Sequence, residues 1–244
     1  MVRHTRAMTC GLAMLLLSCA APARSTPLVP GASGVVPTAL GPSSSVGSAT
    51  FLFDYGPQLF TFGPVGQQVT VRFGETILKD PFTPLFACGA DCLDFVLQAE
   101  LVSGPAGATT LLTSMSMNTF GTSSVDVGWL SDHPTYAAPS GADRSPLGDV
   151  VSFDFAPGIP TGAGVDTSQI LVIRTDLTSF GAQNFVGFAA TETLAAGGPP
   201  VTVSGLASVQ AVPEPSTMIL VLGGAAFGAI RKRRSAAKTQ EPAR

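Results

Sequence analysis

Charged residues are scarce in this 244-residue chain, at 12%, and the scarcity is uneven. Between residues 25 and 212 only Arg72, Lys79, Arg144 and Arg174 are basic, against fourteen acidic residues, a net of −10. Such a body repels phosphate backbones, which excludes nucleic acid as its partner. Histidine and tryptophan are nearly absent: there are two histidines, His4 and His133, and one tryptophan, Trp129. Neither a Gly-x-Ser-x-Gly elbow nor a His-Glu-x-x-His helix motif occurs, so the chain offers no recognisable catalytic set, metal site or cofactor site. No stretch of the middle sustains a 3.6-residue apolar period, which argues against a helical body.

What is present lies first at the two ends. Residues 1–24 read as a secretory signal peptide forming a signal helix. Arg3 and Arg6 give the positive start, Gly11 to Ala20 the apolar run, and Ala21-Pro22-Ala23 the small-residue cleavage pattern. That implies the Sec translocon and signal peptidase as partners. Leu16-Leu17-Ser18-Cys19 also resembles a lipoprotein lipobox, in which Cys19 would be lipidated. Residues 25–48 are rich in Pro, Gly, Ser and Ala and read as a flexible leader. At the other end, Val212-Pro213-Glu214-Pro215-Ser216-Thr217 precedes an apolar run. Counted from Ser216 to Ile230 the run has fifteen residues, and Arg231-Lys232-Arg233-Arg234 closes it. Fifteen is short of the roughly twenty expected of a bilayer span. Snorkelling by Arg231 and Lys232 and extension toward Val212 make up the difference. The segment reads as a transmembrane helix with its basic end, and the tail 235–244, in the cytoplasm.

The middle, residues 49–211, is built of short runs rich in Phe, Val, Ile, Leu and Thr cut by Gly and Pro. Candidate strands are 49–55, 58–62, 67–73, 93–101, 110–117, 123–130, 149–155, 168–176, 184–191 and 201–211. Several alternate at period two, as in Gln68-Val69-Thr70-Val71-Arg72-Phe73 and Val151-Ser152-Phe153-Asp154-Phe155. Turn signals such as Gly56-Pro57, Gly63-Pro64 and Gly104-Pro105 separate them. The expected fold is an all-β, antiparallel, jelly-roll-like β-sandwich.

A few residues in the body invite chemistry. Cys88 and Cys92 are the only cysteines outside the signal segment. In an oxidising compartment a pair this close is expected to close a small disulfide loop. The alternative readings are free thiols and, for want of further ligands nearby, a metal least of all. His133 beside Asp132, with Ser131, Ser140 and Ser145 near in sequence, resembles a minimal nucleophilic set but reads better as a loop histidine before the turn-making Pro134. Trp129 and Tyr136 could offer flat faces to a sugar, against the commoner fate of a lone Trp in the core. Asp126, Asp132, Asp143, Asp149 and Asp154 lack the Asp-x-Asp-x-Asp-Gly spacing of a calcium loop and read as a solvated acidic loop.

The order Val-Pro-Glu-Pro-Ser-Thr, short Gly/Ala-rich apolar segment, Arg-rich end resembles the PEP-CTERM sorting signal of Gram-negative bacterial surface proteins. The resemblance covers Val212 to Arg234. It implies recognition of Pro213, Glu214 and Pro215 by exosortase, a membrane cysteine transpeptidase, with residues 216–230 in the membrane and Arg231, Lys232, Arg233 and Arg234 retaining the end. The route it implies is export, an inner-membrane intermediate, then the cell surface or an exopolysaccharide matrix. The expected function is that of a non-enzymatic surface or biofilm-matrix protein. The competing expectation is a secreted carbohydrate-binding protein or hydrolase using the loop of Trp129, His133 and Tyr136.

Overall fold

Alternation of apolar and polar side chains gives a strand one dry and one wet face, and this chain is built from that device. A computed structural model describes residues 24–42, 50–79, 85–131, 133–162, 166–180, 183–194 and 198–210. The expected signal helix, Cys19, the Pro213-Glu214-Pro215 motif, the 216–230 span and the Arg231–Arg234 block lie outside the described residues. Among the described residues no helix is long and apolar enough to cross a membrane.

Twelve strands follow in chain order: β1 (Thr26–Pro27), β2 (Thr38–Ala39), β3 (Thr50–Phe62), β4 (Val69–Lys79), β5 (Leu93–Ser103), β6 (Ala108–Asn118), β7 (Val125–Leu130), β8 (Gly141–Arg144), β9 (Val150–Pro160), β10 (Ile170–Thr175), β11 (Gln183–Leu194) and β12 (Val201–Gln210). They form two sheets. One has the order β1-β7-β10-β5-β4-β3, with β2 also on β7; the other has the order β12-β11-β6-β9-β8. Every pairing is antiparallel except β2 against β7. The inner faces of the two sheets share one core. Phe95, Leu97, Val127 and Ile173 come from the first sheet, and Met115, Met117, Phe153, Val186 and Phe188 from the second. At the β3/β12 side, Phe188 is ringed by Phe60, Phe62 and Phe73, with centroids 5.1–6.2 Å away. There Gly205 of β12 has no room for a Cβ beside Phe62. The all-β, antiparallel expectation holds.

The structure corrects several details. Gly56-Pro57 is a bulge rather than a turn: β3 continues through it while its register on β4 skips between Tyr55 and Gln58. Beyond Phe73, β4 runs on to Lys79. β8 arises inside the expected acidic loop, where the sequence Gly-Ala-Asp-Arg carries no alternation to announce it.

The largest correction concerns the leader expected at 25–48. Up to Pro42 it is part of the body, and it acts as a strap over both sheets. β1 and β2 pair with the outer edge of β7. Between them Val35 exchanges two backbone hydrogen bonds with Ala142 on the outer edge of β8, at 3.0 and 2.7 Å. Thr26 and Thr38 close the neck of this loop through their hydroxyls, 2.7 Å apart, and Leu28 is buried beneath it. Pro and Gly mark this segment as irregular, but an edge needs only backbone groups at a few points, and Pro is tolerated there.

Arg144 pins the strap. Its side chain is only 3% exposed. It donates to four backbone carbonyls: Gly148 at 3.0 Å, Leu28 at 2.9 Å, Gly121 at 3.1 Å and Ser123 at 2.7 Å. Burial lowers its pKa, and the Asp176 charge partly offsets this. A planar fork with five donors suits this role as no other side chain does.

Candidate functional site

The residues singled out for chemistry are scattered over the sandwich. Trp129, on β7, faces inward and packs against the core. His133 and Tyr136 lie on the loop after β7 and stack on each other, with centroids 4.6 Å apart. Buried Gln169 holds that loop by donating to the His133 and Tyr136 carbonyls at 2.6 and 3.3 Å. Thr135 hydrogen-bonds the His133 ring, with its hydroxyl 2.9 Å from Nδ1. Among the described residues no ring contact joins Trp129 to this stack, so the three do not form one platform. Ser140 donates to the Asp154 carbonyl and Ser145 to the Asp149 carboxylate, the latter at 2.5 Å; neither hydroxyl meets His133. Asp132 lies outside the described residues.

Cys88 and Cys92 are joined by a disulfide across a short 3-10 turn, Gly89–Asp91. Cys92 is buried at the start of β5, and Lys79 reaches Asp91 beside the turn at 3.0 Å. The bridge anchors the turn to the end of the sandwich where Phe95 and Phe120 meet edge to face.

The acidic residues separate into distinct settings. Asp126, on β7, accepts from Ser25 of the strap at 3.3 Å, and burial raises its pKa. Asp143 on β8 and Asp154 on β9 share a hydrogen bond and behave as one pair. Asp143 is held low by the Ser33 hydroxyl and then by the Gly34 N–H, 2.5 Å away. Asp154 is pushed up to about 6, first by burial and then by the Asp143 charge and their shared hydrogen bond. Two carboxyls this close hold one proton between them. Among the described residues no three metal-ligating side chains gather. Sequence reasoning missed this pair, because Asp143 and Asp154 become neighbours only through the pairing of β8 with β9.

A groove of about 280 Å³ lies across β4 and β5 on the outer face of the first sheet. The Gly56-Pro57 bulge walls one side and Thr167 and Ile170 the other. Arg72 and Glu100, 2.6 Å apart, sit at its rim. No sequence signal marks it, since the bulge that opens it looks like a turn.

The last described strand, β12, ends on the side of the sandwich that carries the disulfide turn. β12 is the edge strand of its sheet, and its last residue, Gln210, is paired with Gln183 of β11. An extended chain spans at most about 3.6 Å per residue, so Pro213 is within ~11 Å of that strand end and Ser216 within ~22 Å. A family model for the PEP-CTERM protein-sorting motif matches residues 211–234, beginning on the residue after β12. The chain carries a PEP-CTERM protein-sorting motif. No curated protein and no solved structure matches the chain. The motif implies an exported protein that exosortase processes and that belongs at the cell surface or outside the cell. The match covers about a tenth of the chain and assigns nothing to the sandwich. In sequence, the matched segment follows directly on the last described strand.

Proposed function

We propose that the chain is the precursor of a non-enzymatic protein of the cell surface or exopolysaccharide matrix, a β-sandwich cargo delivered by its own tail. Residues 1–24 direct it through the Sec translocon and are removed by signal peptidase. Residues 216–230 then hold it in the inner membrane, with Arg231, Lys232, Arg233 and Arg234 on the cytoplasmic side by the bias of basic residues. Exosortase recognises Pro213, Glu214 and Pro215, whose two prolines keep the backbone extended and out of helix, and frees the body from its anchor. The observation that carries this reading is the sorting motif at 211–234, continuous with the last strand. The acidic, Lys-poor body supports it, since like-charged copies stay soluble and apart during export.

The test follows the tail in a host that has exosortase. Wild-type chain is expected to lose residues beyond the motif and to reach the surface or medium. The Glu214→Ala chain is expected to stay uncleaved in the membrane fraction. Equal processing of both chains would sink the assignment of the tripeptide.

A further inference from the structure

The outermost strand of a sheet presents unpaired N–H and C=O groups that recruit another strand unless something blocks them. Among the described residues this sandwich has four such edges, and three are managed. β1 and β2 of the strap occupy the edge of β7. Val35 occupies the edge of β8. β3 is broken by the Gly56-Pro57 bulge.

β12 lacks these devices on its open side, although β3 lies close against its inner face, with Phe60 and Phe62 at Gly205. It is ten residues long, Val201-Thr202-Val203-Ser204-Gly205-Leu206-Ala207-Ser208-Val209-Gln210, with no charge and no proline. It pairs with β11 along its whole length without a register break. Among the described residues its other side has no backbone partner. Thr202, Ser204, Leu206 and Ser208 are exposed on its outer face, Leu206 by 70%. The neighbouring strands continue the pattern: β6, β11 and β12 together contain one charged residue, Glu192, and it is buried. On a body of net charge −10, this is, among the described residues, a long unpaired edge that a second identical body can approach without like charges meeting.

We propose that β12 pairs antiparallel with β12 of a second copy of this chain, joining two five-stranded sheets into one. A two-fold axis across the strand makes the contact self-complementary, and backbone hydrogen bonds supply the register-independent part of the attraction. The strand's apolar and hydroxyl residues face their own kind without penalty. An antiparallel pair sends the two tails to opposite ends, so it joins copies that do not share one membrane patch. That last point rests on the sorting reading; the pairing itself does not.

Sedimentation of the full chain in density-matched detergent tests it. Wild type is expected to dimerise with rising concentration. Ser204→Lys with Leu206→Lys, both at exposed positions, is expected to weaken the dimer by about tenfold or more, because like charges then face each other across the pair. Mixing that chain with Ser204→Glu/Leu206→Glu is expected to restore a dimer, which a misfolded variant would not do. A wild type that stays monomeric at every concentration overturns the proposal. So does a Lys variant that dimerises like wild type, which would place the contact in the tail or elsewhere. Failure of the Lys and Glu chains to reassociate, with circular dichroism unchanged, overturns it as well.

Discussion

Replacing Arg144 by Met is expected to loosen the strap and cost the body a large part of its stability. The guanidinium donates to four carbonyls at 2.7–3.1 Å, and the bonds to Leu28 and Gly148 are fully buried. Leaving a buried acceptor without a donor costs about 1–3 kcal/mol each. Two such losses, with smaller ones at the half-exposed Gly121 and Ser123 carbonyls, come to roughly 3–7 kcal/mol. Removing the charge returns part of this, because a buried cation is itself held against a desolvation penalty. The net is about 3 kcal/mol, a sizeable share of the ~5–15 kcal/mol that stabilises an ordinary domain. Urea unfolding followed by the fluorescence of Trp129, the sole tryptophan, is the natural assay. The Leu40 N–H donates to the Trp129 backbone carbonyl at 2.8 Å, so the indole sits on the strand that the strap pairs with. With a slope of about 2–3 kcal/mol per molar urea, the midpoint is expected to fall by ~1–1.5 M. Arg144→Lys keeps the charge but loses the fork, and is expected to recover only a minor part. A shift below ~0.3 M for Arg144→Met would refute the role of this side chain as the pin.

Three further outcomes are expected. The Asp154 carboxyl, raised to about 6, binds a proton in the folded body that the unfolded chain releases near 4. Its contribution is therefore complete below about pH 4 and lost as pH rises past 6; the Tm should fall over that window, and Asp154→Asn should flatten the fall. Opening the Cys88–Cys92 bridge, in Cys88→Ser/Cys92→Ala or by reductant, should cost about 2 kcal/mol in urea unfolding, as expected for so short a loop; thiol labelling should find no free cysteine in the oxidised mature protein. Gly205→Leu forces side-chain atoms into Phe62 and Phe60 and should destabilise by about 1–3 kcal/mol, with unchanged midpoints arguing against the close approach of β12 to β3.

Much of the sandwich is readable in the chain because period-two alternation is a physical requirement of a strand with one buried face. Val69, Val71 and Phe73, or Val151, Phe153 and Phe155, announce both the strand and the side that is buried. What escapes is held by other means. β8 is fixed by the edge of β9 and by the Arg144 fork, neither of which leaves a pattern along Gly141–Arg144. The strap is held by scattered backbone bonds, so its Pro and Gly read as slack. β4 past Phe73 places Glu75 on the buried face, which breaks the apolar rhythm where the strand continues. Of the functional features, the sorting tail is legible because it is a local, ordered set of residue types. The Asp143–Asp154 pair and the groove over β4 and β5 exist only through contacts between distant segments.

The strap also sets an order of events. Its residues open the body, yet the strands it closes upon come about a hundred positions later: Thr26 meets Val127, and Val35 meets Ala142. On the export route proposed above, the chain crosses the membrane amino end first and presents residues 25–42 long before β7 and β8 have followed. Throughout that interval Leu28 has no pocket and Arg144 has not arrived. The first stretch to emerge is thus among the last to be secured, and a chain stalled before Arg144 cannot close.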